Sequence, residues 1–204
     1  STGATVNATI SANYTATTDA KNDGTANLTL GTGGLTVDLT SAAGSKGFNL
    51  IGSSGTDTIT ATGKADTFTI ASSGQGNLDV LDGAGGADTL QLSAGSHVFA
   101  SDANFKGIET VLANTAGSSV NLSAQTEGFT ITGGDGIDTI IGGDGVDIIT
   151  GGAGDDIITG GAGSDTFNID AGSDTITDLS ASDIFVVSTG ATVNATISAN
   201  YTAT

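Results

Sequence analysis

Large apolar residues return along this chain at intervals of nine. Leu122, Ile131, Ile140, Ile149, Ile158, Phe167, Ile176 and Phe185 form one unbroken ladder. The same period runs upstream: Leu50, Ile59 and Phe68 are nine apart, then come four extra residues, then Leu81, Leu90, Phe99 and Ile108, and five extra residues lead to Leu122. Each ladder position lies in a short Thr-, Ile- or Val-rich stretch between Gly/Asp clusters. Side chains alternate across a strand, so the pattern predicts short strands with the ladder residue inward and its neighbours outward. If nine residues make half a coil, eighteen make a full coil, and residues eighteen apart stack. The stretch from Ala4 to Thr17 reads differently. Val6, Ala8, Ile10, Ala12, Tyr14 and Ala16 alternate with polar residues, which predicts one long strand with a buried face.

Between the ladder residues the chain repeats in detail. From Gly133 it reads GGDGIDTII, GGDGVDIIT, GGAGDDIIT and GGAGSDTFN, four consecutive copies of GGxGxDxUx with U large and apolar. IDAGSDTIT from Ile169 and DLSASDIFV from Asp178 continue the register with the glycines eroded. GSSGTD from Gly52, GQGNLD from Gly74 and GAGGAD from Gly83 are partial relatives. Glycine reaches positive φ without steric cost, so GGxG predicts a tight turn. On an eighteen-residue coil the position-six aspartates fall into two rows. Asp138, Asp156 and Asp174 form one, and Asp147, Asp165 and Asp183 the other.

A second, longer repeat is present. STGATVNATISANYTAT occupies residues 1–17 and again 188–204, seventeen identities at an offset of 187. Self-similarity at a fixed period signals a tandem array. Residues 188–204 are therefore expected to begin the next copy of a 187-residue period.

Composition narrows the chemistry. With 22 acidic and four basic residues the net charge is −18, and Lys21, Lys46, Lys64 and Lys106 are scattered, so no phosphate-binding patch forms and nucleic acid is not an expected partner. No apolar window reaches the length of a membrane helix, so no membrane insertion is expected. The absence of cysteine removes disulfides and thiolate metal sites. His97, the single histidine, is expected on a solvated strand or turn, without the companions a zinc enzyme needs. With no GxSxG elbow either, no catalytic residues are assigned and the chain is expected not to be an enzyme. Outward threonines, such as Thr58 and Thr60 or Thr175 and Thr177, are ordinary strand surface, and Ile141, Ile148 and Ile157 interrupt the array.

The nonapeptides resemble the RTX, or hemolysin-type, calcium-binding repeat. The chain as a whole looks like the repetitive part of a giant RTX adhesin, an extracellular fibre or an RTX surface-layer protein. The resemblance implies an all-β fold dominated by a right-handed parallel β-roll, a β-solenoid with calcium-binding turns. The domain plan is a strand-rich junction segment over 1–46, a degenerate roll with loop insertions over 47–123, the RTX roll proper over 124–187, and the start of the next copy over 188–204.

Several calcium ions per 187-residue period are expected. Stacked carboxylates repel one another without a counterion, and calcium accepts six to eight oxygen ligands in irregular geometry, whereas magnesium and zinc prefer other shells. The family pattern implies that carbonyls and an aspartate of one turn share an ion with those of the turn one coil later. On one edge that joins Gly134, Gly136 and Asp138 to Gly151, Ala153 and Asp156; on the other, Gly143, Gly145 and Asp147 to Gly160, Ala162 and Asp165. Two further sets join Gly152, Gly154 and Asp156 to Ile169, Ala171 and Asp174, and Gly161, Gly163 and Asp165 to Asp178, Ser180 and Asp183. Secondary candidates are Asp57, Asp66, Asp79, Asp88, Asp135 and Asp144.

The resemblance also implies secretion by the type I route, an extracellular or cell-surface location, and adjoining copies of the same repeat as partners. A surface-layer lattice protein and a calcium-dependent folding module of a secreted RTX protein are the alternatives.

Overall fold

The computed structural model describes residues 4–70, 79–113 and 116–197. Among them every named element is a β-strand except one short 3-10 turn, Asp102–Asn104. The chain divides into two compact units, Ser1–Ser93 with Ala103–Thr110, and Ala94–Asp102 with Val111–Thr204.

In the first unit, Thr5–Ile10, Thr25–Leu30, Asn49–Ile51, Thr67–Ile70 and Thr89–Leu92 lie side by side, all parallel. Tyr14–Thr15, Thr36–Asp38, Thr58–Thr60, Val80–Asp82 and Phe105–Lys106 form a second parallel sheet. Lys21–Asn22 and Ala43–Gly44 form a short third parallel pair in the first two coils, and elsewhere successive strands alternate between the two sheets, which makes the unit a β-solenoid. Its core is built from the inward side chains of both sheets, one or two from each strand. Leu28, Leu50, Phe68 and Leu90 align in one sheet, and Val37, Ile59, Leu81 and Phe105 in the other.

The second unit repeats the plan with a stricter coil. Thr130–Gly134, Ile148–Gly152, Thr166–Ile169 and Ile184–Val187 form one parallel sheet. Gly95–Val98, Ser118–Asn121, Thr139–Ile141, Ile157–Thr159, Ser173–Leu179 and Thr192–Ile197 form the other. Ile131 pairs with Ile149 and Ile149 with Phe167, eighteen residues at each step, as the nine-residue period requires. Ile131, Ile140, Ile149, Ile158, Phe167 and Ile176 are all 0% exposed. Outward Ile148 and Ile157 remain about half exposed. The turn residues Ile137 and Val146 are more exposed still, a feature the ladder does not foretell.

Three expectations are corrected. The alternating stretch from Ala4 is not one long strand: it breaks after Ile10, and Tyr14–Thr15 joins the other sheet. Its apolar face is largely uncovered, with Val6 54% and Tyr14 40% exposed. A strand buries a face only where another layer lies against that face, and Thr5–Ile10 is an edge strand paired on one side only. His97 is fully buried, in register with Val120. It holds an inward position where the coil supplies no aliphatic residue. The ladder itself slips near the insertions. The partner of Ile140 is Val120, twenty residues away, with Leu122 buried just after the strand, and Phe105, not Phe99, stacks on Leu81. A loop of different length changes the register of the next coil, and a fixed period cannot follow that change. The four-residue insertion and the loop starting at Gly74 lie outside the described residues, as do residues 198–204 of the second terminal copy.

Candidate metal centre at the aspartate turns

Each position-six aspartate sits where a turn enters a strand. Asp138, Asp147, Asp156, Asp165 and Asp174 are buried to 1% exposure or less, and Asp183 to 9%. The stacking read from the eighteen-residue coil is present as a hydrogen-bonded chain. The backbone N–H of Asp138 donates to Oδ1 of Asp156 at 2.8 Å, and that of Asp156 to Oδ1 of Asp174 at 3.0 Å. On the other edge Asp147 donates to Asp165 at 2.9 Å and Asp165 to Asp183 at 3.0 Å. One oxygen of each carboxylate thus caps an amide of the coil before it. Without that cap the turn amides would be buried and unpaired, at a cost of about 1–3 kcal/mol each.

The second oxygen distinguishes the turns. Gly134 N–H donates to Oδ2 of Asp138 at 2.8 Å, and Gly143 N–H to Oδ2 of Asp147 at 3.0 Å. Ser180 N–H serves Asp183 at 2.7 Å. Oδ2 of Asp156 and Oδ2 of Asp174 are buried and accept no hydrogen bond. The position-four glycines are obligatory here. Gly154 has φ +138° and Gly163 φ +135°, and a Cβ on Gly163 would be driven onto the carbonyl oxygen of Gly145.

The carbonyls named from the repeat divide into committed and uncommitted groups. Those of Gly134 and Gly143 accept from Ala153 N–H at 2.8 Å and Ala162 N–H at 3.0 Å, and that of Ala171 from Gly154 N–H at 3.1 Å. Each carbonyl keeps a second lone pair. Gly163 O accepts from Ser182 Oγ at 3.1 Å. Asp135 and Asp144 are exposed at the turn tips. Asp178, named above for its carbonyl, also holds Gly160 N–H at 3.0 Å and Gly161 N–H at 2.8 Å with its carboxylate.

The upstream aspartates occupy the same place. Asp57, Asp66, Asp79 and Asp88 are at most 4% exposed. Asp57 N–H donates to Asp79 Oδ1 at 2.8 Å and Asp66 N–H to Asp88 Oδ1 at 2.7 Å, across 22-residue coils. At Asp57 and Asp66 the turn supplies its own hydroxyl, whereas Oδ2 of Asp88 is buried and accepts no hydrogen bond. Ser53 donates N–H and Oγ to Asp57 Oδ2 at 3.0 and 3.1 Å, and Thr62 serves Asp66 Oδ2 at 2.9 and 2.7 Å. The Asp88 chain ends on Glu109, whose Oε2 accepts from Asp88 N–H at 2.7 Å. Sequence reasoning missed Glu109; the only signal was its 21-residue spacing from Asp88, close to one upstream coil.

The electrostatics are one-sided. Burial pushes Asp156 and Asp165 up to about 6, against the opposing hydrogen bonds from Asp138 and Asp147 N–H, and the stacked carboxylates add repulsion. Asp79 rises to about 6 and Asp88 to about 7, again first through burial, with Asp66, Glu109 and Asp82 adding charge around Asp88. Among the described residues the ion pairs are Lys21–Asp23 and Lys106–Asp82, and neither involves a position-six aspartate. The rows hold negative charge at neutral pH without a lysine to balance it.

Among the described residues no three His, Cys, Asp or Glu side chains converge as a metal cluster. The donors are of another kind: peptide carbonyls on glycine turns with one carboxylate per turn, all hard oxygens. The bare Oδ2 atoms of Asp156 and Asp174 fit a hard cation, which needs oxygen ligands and compensates buried charge. When bound, such an ion supplies positive charge to the rows. The chain supplies turns pre-shaped by glycine and carboxylates already held by the preceding coil's amides.

The RTX calcium-binding nonapeptide repeat matches four segments, residues 51–69, 73–96, 132–167 and 141–176. No curated protein and no solved structure matches the chain. The matched segments hold the position-six aspartates of both units, Asp183 alone lying outside them, and the chain accordingly carries RTX calcium-binding nonapeptide repeats on a β-solenoid fold.

Proposed function

We propose that this chain is one period of a calcium-stiffened extracellular fibre, of the kind found in a biofilm matrix or an adhesin stalk. The observation that carries the reading is the seventeen-residue identity between residues 1–17 and 188–204, which makes the solenoid a unit of an array. Coils that contact only their neighbours add stability by nearest-neighbour terms, so an array grows in length without changing its core. Its role is structural, not catalytic.

Calcium acts as the folding switch in this reading. The donors are the four sets named from the repeat, built on the Asp138–Asp156–Asp174 row and the Asp147–Asp165–Asp183 row. The sets containing Asp156 and Asp174 lead, because their Oδ2 atoms are bare. The upstream turns of Asp57 and Asp66 rank below them, since Ser53 and Thr62 already satisfy those carboxylates, whereas Asp88, whose Oδ2 is equally bare, ranks with them. An ion bound by the folded chain alone stabilises it by mass action. Folding then awaits secretion into a calcium-rich medium.

The test is a calcium titration followed by circular dichroism and size-exclusion chromatography, with magnesium and chelator as controls, and electron microscopy of a chain of several periods. Calcium-specific gain of β signal, compaction and thin unbranched filaments are expected. A chain equally folded in chelator sinks the switch; flat two-dimensional arrays sink the fibre in favour of a surface layer.

A further inference from the structure

The six residues TVNATI occur twice, as Thr5–Ile10 and as Thr192–Ile197, and the two copies are paired on opposite edges. The first copy pairs with Thr25–Leu30, the second with Ser173–Leu179, both in parallel. Backbone groups of alternate residues point to alternate edges of a strand. In the first copy the carbonyls of Ala4 and Ile10 accept from Thr25 N–H at 3.0 Å and Gly31 N–H at 2.7 Å, so the even-numbered residues serve the following coil. In the second copy Thr192, the counterpart of Thr5, donates to Gly172 O at 3.0 Å. The odd set therefore serves the preceding coil.

The side chains divide the same way. Oδ1 of Asn7 accepts from Asn27 Nδ2 at 2.6 Å, and Asn27 Oδ1 accepts in turn from Asn49 at 2.6 Å. Asn194, the counterpart of Asn7, uses its other end: Nδ2 donates to Ser173 Oγ at 3.4 Å. In the bonds just named, no polar group is claimed by both neighbours. The inward face agrees as well. Ile176 and Leu179 align with Ala195 and Ile197, whose counterparts Ala8 and Ile10 align with Leu28 and Leu30.

We infer that, in the array, one TVNATI strand does both jobs: it is the last coil of one period and the first coil of the next, so consecutive periods run as one solenoid with no linker. The inference rests on the tandem reading above and adds the register of the joint. Ser173 meets Thr5 of the next period, which meets Thr25; Ile176 meets Ala8, which meets Leu28. An apolar cavity of about 430 Å³ at this end of the first unit, lined in part by Ala8, Ile10, Tyr14, Leu28, Leu39 and Phe48, is covered by the preceding period. The exposure of Val6 (54%) and of Ile197 (58%) is then a property of an end coil and disappears within the array.

The experiment is a two-period chain, residues 1–187 followed by the full 1–204, in calcium. The protein has no cysteine, so introduced pairs report cleanly. Thr5→Cys in the second period is combined with Thr25→Cys of that period in one variant, and with Ser173→Cys of the first period in another. All three sites are exposed. Parallel neighbours are about 4.8 Å apart, within the Cα separation a disulfide spans. Near-complete intramolecular oxidation of both pairs is the expected result. Oxidation of the Thr5/Thr25 pair alone overturns the inference. The unsubstituted two-period chain gives an independent reading: its melting temperature should rise above that of the 204-residue chain, and equal values would mean separate beads and refute the shared strand. If both disulfides form but the native protein is found inside the cell, the fibre reading falls and the joint stands.

Discussion

Replacing Asp156 with Asn should change stability in opposite directions with and without calcium. The carboxylate of Asp156 is 1% exposed, caps Asp138 N–H through Oδ1 at 2.8 Å and leaves Oδ2 bare. Burial, then the charges of Asp174, Asp138 and Asp170, moves its pKa from 3.8 to about 6. Holding the charge at pH 7 therefore costs at most about 3 kcal/mol, and solvent screening at the turn edge brings this to about 1–2 kcal/mol. Asparagine retains an acceptor oxygen for Asp138 N–H and carries no charge. In chelator, Asp156→Asn should therefore stabilise the fold by about 1–2 kcal/mol. With calcium in excess the sign reverses. A site filled at a hundred times its Kd contributes about 2.7 kcal/mol, and Asp156 belongs to two of the proposed donor sets. Urea unfolding followed by circular dichroism, in chelator and in calcium, measures both arms. A variant that is destabilised equally in the two buffers would refute the reasoning, because it would reduce Asp156 to a turn cap with no part in charge balance.

Other outcomes follow from the same geometry. Ile158→Ala, at 0% exposure in the row of Ile140 and Ile176, should cost about 2–5 kcal/mol, while outward Ile157→Ala should stay within about 0.5 kcal/mol; thermal melts in calcium separate them. Gly163→Ala, at φ +135° against the Gly145 carbonyl, should cost more than about 1 kcal/mol, and a variant as stable as the parent would contradict the turn geometry. In chelator, stability should fall as pH rises from about 4 to about 7. Asp79, Asp156 and Asp165, at about 6, and Asp88, at about 7, bind protons more tightly folded than unfolded, so their contribution is complete below 3.8 and lost as pH passes the folded values. Chelator-treated protein followed by circular dichroism across that range measures the slope, and a flat profile would contradict the buried carboxylates.

The nine-residue ladder and the GGxGxDxUx turns were legible because both are local. One inward residue per strand needs no distant partner to be recognised, and eighteen-residue stacking of Asp138 with Asp156 follows from counting alone. What counting could not supply is the response of the coil to loops of other lengths. Twenty-two residues separate Asp66 from Asp88, twenty separate Val120 from Ile140, and Glu109 replaces an aspartate at a spacing of twenty-one. His97 lies inside because the register at Val120 places it there, a fact that polarity alone argues against.

By itself the sequence determined the class of fold, the two aspartate rows, the calcium-binding type of the nonapeptide repeat and the recurrence of residues 1–17 at 188–204, since each is written in spacing and composition. Only the tertiary structure decided which carboxylate oxygens are bare, which turns satisfy themselves through Ser53 and Thr62, and which edge of each TVNATI copy is occupied. Those depend on which coil lies next to which, and in a solenoid neighbours one coil apart are brought together by loop length, which a fixed repeat period does not encode.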